Sequence, residues 1–330
     1  MPDEHPPEAP VSARARVSRR LLYRGELPPT EAPPGPMTES AWRNVALTLA
    51  VILLLGSGAV IIFWPRGTSV PTGGTAVPAA APTAASTPAT SGAAASSPSG
   101  VPMPGDIPGW KRTFADDFDG TLKQWEIYEG QPGGDPGGWF RASHVSVADG
   151  KVTIKGTRAD TPNGNIYATG GMNNNPSFSQ AYGRYEIRFR IDEGYGIAFA
   201  ILLWPSSNTW PPEIDIAEDR GLDRNLLHTA LHHGTPSRPQ LMQHDRGDVN
   251  TTLWHTVGVE WRPGRVDYLF DGEAWHTIES DQVPDIPMVI AIQSQAWFCG
   301  GTWSDCPNST TPPVVNLEVD WVVAYEATGA

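Results

Sequence analysis

Three carboxylates lie within six residues of one another in the segment Trp210–Pro211–Pro212–Glu213–Ile214–Asp215–Ile216–Ala217–Glu218. Alternation of acidic and apolar residues predicts a β-strand, in which Glu213 and Asp215 point to one face. Glu218 is five positions after Glu213 and would point the other way in a regular strand. A β-bulge between Ile216 and Glu218 would return it to the same face. Stacked like charges repel, and at least one such group must hold its proton. Glycoside cleavage uses this arrangement: one carboxylate attacks the sugar carbon and a second, kept protonated, donates to the leaving oxygen. Retention of configuration requires the two about 5–5.5 Å apart. An acidic cluster on a solvated edge strand is the structural alternative.

The elements that must carry this cluster are strands. From Trp110 onward the apolar period is two. Strands are expected at 145–147, 151–156, 183–191, 197–203, 213–217, 227–232, 255–261, 266–270, 288–294 and 316–325, with hairpin turns at Asp149–Gly150 and Asp271–Gly272. No long amphipathic helix is legible there, so the fold class is all-β, a two-sheet antiparallel sandwich or jelly roll.

The N-terminal third differs in kind. Residues 45–64 run twenty positions without a charge, the length that spans bilayer hydrocarbon. Six Arg precede them (Arg14, Arg16, Arg19, Arg20, Arg24 and Arg43), and only Arg66 lies between the run and Trp110. The positive-inside rule then places residues 1–44 in the cytoplasm as a disordered tail and everything after the span outside the cell. A cleaved signal peptide is the rival reading. Residues 65–105, rich in Pro, Ala, Ser and Thr, read as a disordered linker, and residues 106–330 as the catalytic domain.

The six Arg of residues 1–44 are matched by six acids, so the acidic excess behind the net charge of −13 lies in the C-terminal region. Such a surface excludes nucleic acid as a partner and disfavours a densely sulfated polymer; a neutral polysaccharide is unaffected. Cys299 and Cys306, the two cysteines, lie downstream of the export signal and read as a short disulfide loop, with two free thiols as the alternative. Thirteen Trp leave many rings for sugar stacking or core. Trp210 precedes Glu213 by three residues and is the first stacking candidate; Trp204, Trp139, Trp297 and Trp303 are further candidates for the cleft.

The stretch 114–325 resembles glycoside hydrolase family 16, the laminarinase and lichenase clan. The matching segments are FADDFDG at 114–120, YGRYEIRFRI at 182–191, EIDIAE at 213–218, LHTALHHG at 227–234, WHTVGVEWRPGRVDYLFDG at 254–272 and LEVDWVVAY at 317–325. The resemblance implies a concanavalin-like β-jelly-roll sandwich with a glycan cleft on its concave sheet. It implies Glu213 as nucleophile, Asp215 as its electrostatic helper, Glu218 as acid/base and His232 as a cleft residue. Members with the ExDxxE spacing include β-1,3-glucanases, so a neutral β-1,3-glucan is the expected substrate of a retaining endo-hydrolase. A transglycosylase, or a non-catalytic carbohydrate-binding module on the same fold, is the alternative. No cofactor is required for this chemistry. The resemblance also implies a structural calcium (Ca2+) at Asp320, the carbonyl of Gly150 and a group from residues 114–120. Two departures stand out: Trp204 is displaced in AFAILLWP, and Gln293 replaces a common Asn.

Overall fold

The structure, a computed structural model, describes residues 97–329 except residue 302. The span expected at 45–64 lies outside the described residues. Among those described, no helix is long and apolar enough to cross a membrane.

Sixteen strands follow in chain order. They are β1 (Trp110–Asp116), β2 (Glu126–Ile127), β3 (Val145–Ala148), β4 (Lys151–Thr161), β5 (Gly164–Ala168), β6 (Gly171–Asn173), β7 (Gly183–Ile191) and β8 (Ile197–Pro205). Then come β9 (Glu213–Asp219), β10 (Leu227–Thr235), β11 (Arg238–Arg246), β12 (His255–Arg262), β13 (Arg265–Phe270), β14 (Glu273–Glu279), β15 (Met288–Ala296) and β16 (Val314–Ala327). They form two antiparallel sheets. One runs β14-β13-β12-β7-β16-β4-β3, with β1 on β16 and β5 on β4; the other runs β11-β10-β9-β8-β15-β6-β2.

Alternating side chains build the space between the sheets. Tyr185, Ile187, Phe189 and Ile191 of β7 point inward, as do Ile197, Phe199, Ile201 and Leu203 of β8. Burying such rows against each other is the main favourable term in a sandwich. Both expected hairpin turns form with left-handed backbone, at Asp149–Gly150 and Asp271–Gly272. The expected strands are all present, and β1, β2, β5, β6, β11 and β14 add to them. β11 carries no apolar alternation because most of its residues are exposed at the sheet edge.

The outer face of the β16 sheet carries a strap. Residues 97–105, expected within the linker, lie against it. Ser97 Oγ donates to Asp320 Oδ2 at 2.5 Å, and Ser99 N–H donates to the same oxygen at 3.1 Å. Arg188 Nε donates to Ser99 Oγ, and Trp321 Nε1 donates to the Val101 carbonyl. Met103 and Ile107 pack on Trp110, Trp321, Val323 and Tyr325, a cluster separate from the core between the sheets.

This patch bears on the expected calcium. A Cβ on Gly150 would meet Asp119 Oδ1 at 3.4 Å and Pro98 at 3.6 Å, so Gly150 and Asp320 are both covered by the strap. Calcium needs six to eight oxygen ligands at ~2.4 Å. Here Asp320 faces a hydroxyl and an amide that donate to it, with the Arg188 guanidinium nearby. The strap supplies Asp320 Oδ2 with two donors, and Asp119 of the 114–120 segment lies beside Gly150.

Asp320→Ala should leave both strap donors without their acceptor and cost about 1–3 kcal/mol. A fall of several degrees in melting temperature is expected, without loss of cleft chemistry. An unchanged melt would show that the strap bonds contribute nothing.

Candidate active site

The bulge decides the site. Ile214, Ile216 and Ala217 all belong to the inter-sheet core. Two consecutive inward residues, Ile216 and Ala217, break the alternation. The register shows the same slip: Asp215 lies opposite Ala230 and Leu202, whereas Glu218 lies opposite His228 and Ala200, with irregularities between. Glu213, Asp215 and Glu218 therefore share the outer face of β9. The Thr229 hydroxyl donates to the Asp215 carbonyl at 2.6 Å and compensates the interrupted ladder. Beyond Glu218, the chain is pinned by a buried ion pair. Asp219 binds Arg224, whose guanidinium also donates to the Ile197 carbonyl at 2.9 Å.

These carboxylates line a cleft of about 1330 Å³. That exceeds the usual 300–1,000 Å³ of a site for one small molecule. Ala200, Leu202 and Ala291 form a small-residue floor beside them, with Trp204 packed against it. The absence of an aromatic at this floor is the local effect of AFAILLWP. Trp204 itself still lines the cleft, its indole N–H held by Asn208 Oδ1 at 2.8 Å.

Trp210 Nε1 donates to Glu213 Oε2 at 2.7 Å. His232 Nε2 lies 3.0 Å from Asp215 Oδ2, and the Trp210 and His232 rings are 5.7 Å apart. Acidic and imidazole atoms of Glu213, Asp215 and His232 all lie within 4.8 Å of one another. Asp215 is almost fully buried, and neither of its side-chain oxygens has a hydrogen-bond partner of good geometry. His228, which shares the parity of His232, is instead bonded through Nδ1 to Asp245 at 2.6 Å.

Of the other expected cleft residues, Trp297 and Trp303 line it. Trp139 does not, and its indole nitrogen is buried without a partner. Its neighbour Phe140 occupies the lining, since successive residues in an extended segment point opposite ways. Tyr128 and Gln295 also line the cleft and carried no local signal. Tyr128 packs over Gly171, where a Cβ would come within 2.5 Å of its ring, and burial pushes its hydroxyl up to about 12. Gln293 donates to Gln295, which donates to the buried Asp135 carboxylate at 3.1 Å and so ties the segment carrying Asp135 to β15.

Burial first, and then the charge of Asp215, hold both Glu213 and Glu218 well above the ordinary carboxylate range. Asp215 is the charge that acts most strongly on each of them. The Trp210 N–H favours charge on Glu213, whereas Glu218 accepts no hydrogen bond among the described residues. Glu213 is thereby the better placed of the two to carry charge, and Glu218 to keep its proton. Arg220 opposes the rise there only as the last of its influences.

A carboxyl whose folded pKa is raised binds its proton more tightly in the folded than in the unfolded chain. Its contribution to stability is complete below the unfolded value and is lost as pH rises toward the folded value. Glu218→Gln should therefore melt higher than the wild type at about pH 7, with the gap closing toward about pH 4. Equal melting of the two proteins at neutral pH would refute the buried-proton account.

The family model of glycosyl hydrolases family 16 matches residues 138–322. The endo-1,3-1,4-beta-glycanase ExsH of Rhizobium meliloti (strain 1021) is 26% identical over 54% of this chain and 39% of its own length. EglC, of the same description and organism, is 27% identical over 65% of this chain and 51% of its own. The chain thus spans about half the length, or less, of these curated relatives. Among solved structures, the endo-beta-1,3-glucanase of Pyrococcus furiosus superposes with a TM-score of 0.61 at 22% identity, covering 70% of this chain and all of that one. That likeness speaks to the fold. The family match covers more than half of the chain and contains β7 to β10, the whole carboxylate strand and its neighbours. The chain belongs to glycosyl hydrolases family 16.

Proposed function

We propose that this domain is an endo-acting β-glucan hydrolase that works by retaining double displacement, with β-1,3-linked glucan as its preferred substrate. The observation that carries the reading is the shared cleft face of Glu213, Asp215 and Glu218, with the Trp210 N–H donated to Glu213 alone. Related glucanases, named for 1,3-1,4-linked and 1,3-linked glucans, support the substrate class. The size of the cleft suits several sugar rings.

Glu213, ionised, attacks the anomeric carbon. Glu218 gives its proton to the glycosidic oxygen as the carbon–oxygen bond breaks, and the leaving chain departs. Glu218, now charged, takes a proton from water; that water attacks the same carbon and releases Glu213. Two inversions give net retention. Asp215 sits between Glu213 and His232, where its charge opposes a second ionised neighbour and so keeps the donor proton in place.

Glu213→Ala should lose activity by several orders of magnitude. Glu218→Ala should lose about 10²–10⁴-fold on polymer but regain turnover with azide on a substrate with a good leaving group. Its product should be a glycosyl azide of retained configuration, whereas azide on Glu213→Ala should give the inverted one. Wild-type product of inverted configuration by proton NMR would overturn the mechanism. A screen on laminarin, lichenan and agarose decides the linkage.

We further propose that the apolar run 45–64 tethers the domain outside the cell, supported by the Arg asymmetry around it. Protease added to intact cells should remove the domain and spare the N-terminal tail. Protection until lysis would defeat this orientation.

A further inference from the structure

The segment between β15 and β16 carries the sequence Cys299–Gly300–Gly301 and Trp303–Ser304–Asp305–Cys306, and Cys299 and Cys306 are joined by a disulfide with Cα atoms 4.8 Å apart. The free-thiol alternative is excluded among the described residues. The loop is fastened at further points. Tyr195 donates to the Asp305 carboxylate, and Thr311 donates to the Tyr195 carbonyl at 2.6 Å. The Ser304 hydroxyl donates to the carbonyl of Arg220. A Cβ on Gly196, whose φ is +75°, would fall 2.2 Å from Pro307 N, so the loop lies flush on the backbone there.

The product of this fastening is the position of one ring. Trp303 lines the cleft together with Glu218. Its ring lies 5.8 Å from the ring of His228, the residue paired with Glu218 across β9 and β10. The Arg220 guanidinium sits 4.7 Å from the ring centroid. Of the four indoles that line the cleft, Trp204, Trp210, Trp297 and Trp303, two have partners tied to the catalytic carboxylates. Trp210 bonds Glu213, and Trp303 stands with the neighbours of Glu218. In the double displacement proposed above, Glu218 touches the glycosidic oxygen, and the sugar beyond that oxygen is the leaving one. Trp303 lines the same cleft as Glu218 and touches His228 and Arg220, which are also neighbours of Glu218, and indoles bind sugar rings by stacking on their C–H faces.

We propose that the disulfide loop is the leaving-side wall of the cleft, and that Trp303 is a specificity-determining residue for the sugar unit departing past Glu218. This rests on the glycan-hydrolase reading of the same cleft. The disulfide is the part that holds the wall in place, since the two glycines beside Cys299 would otherwise leave the loop free to adopt many conformations.

The test compares two substrates in the full chain. One is the polymer that the wild type cleaves among laminarin, lichenan and agarose. The other is the matching disaccharide β-fluoride, whose leaving group is fluoride and which places no sugar on the leaving side. Trp303→Ala should lower kcat/KM on polymer about ten-fold, mostly through KM, which a single lost stacking contact can supply. On the fluoride it should match the wild type. Trp303→Phe should recover most of the loss. Reduction of the wild type with dithiothreitol, or the Cys299→Ser/Cys306→Ser double variant, should reproduce the same split. Equal losses on both substrates would overturn the leaving-side assignment, and undiminished cleavage of polymer by Trp303→Ala would overturn the wall itself. Reduced wild type that keeps its full polymer kcat/KM would remove the disulfide from the proposal. A wild type inactive on all three polymers would refute the functional reading and take the wall with it, a result distinct from an active wild type matched by Trp303→Ala.

Discussion

Ile216 and Ala217 are consecutive residues of one strand, and both are buried between the sheets. That local break in alternation is the constraint on which the site depends. Without it, Glu218 would enter the core, where a carboxyl without partners costs several kcal/mol against a net stability of about 5–15 kcal/mol. With it, three acids meet on the open side of a single strand. The side chain of Thr229 and the neighbouring β8 and β10 hold the irregular backbone in place. The bulge is thus both a packing solution and the origin of the chemistry.

The energetic consequence is opposition between stability and function. Burial, and then the charge of Asp215, raise Glu213 and Glu218, and nothing among the described residues gives Asp215 a full hydrogen-bond set. The surrounding sheets have to supply the free energy that this cluster withholds. They do so with long, regular strands: β16 alone pairs with β1, β4 and β7. The buried Asp219–Arg224 pair, one residue past Glu218, shows the contrasting solution, an acid given its own cation and backbone donors.

Legibility in the sequence followed physical regularity. GRYEIRFRI at β7 alternates because its apolar side chains enter the core and its charged ones lie on the outer face, half-buried or, for Glu186, buried. The spacing of Glu213, Asp215 and Glu218 contained its own irregularity, so the bulge could be inferred from parity alone. β11 and β14 were silent because edge strands can be polar on most positions. Trp139 and Phe140 differ by one residue, and nothing local to the sequence says which of them faces the cleft. Asp320 was singled out only through the family resemblance, as a calcium ligand, and its partners Ser97 and Ser99 come from more than two hundred residues away, in a segment whose composition reads as linker. Trp303 likewise depends on long-range packing against Arg220 and His228.

The strap also determines how the domain would bear a load. A pull applied through the residues before Ser97 reaches the fold first at Asp320 and Trp321, in the middle of β16, and not at the end of β1. β16 is hydrogen-bonded on both sides along much of its length, so the strap is anchored to an interior strand and not to an edge. The carboxylates lie on the outer face of the other sheet, with the whole inter-sheet core between them and the point of traction. The strap and the carboxylates therefore sit on opposite faces of the sandwich, and strain at one is separated from the other by the core.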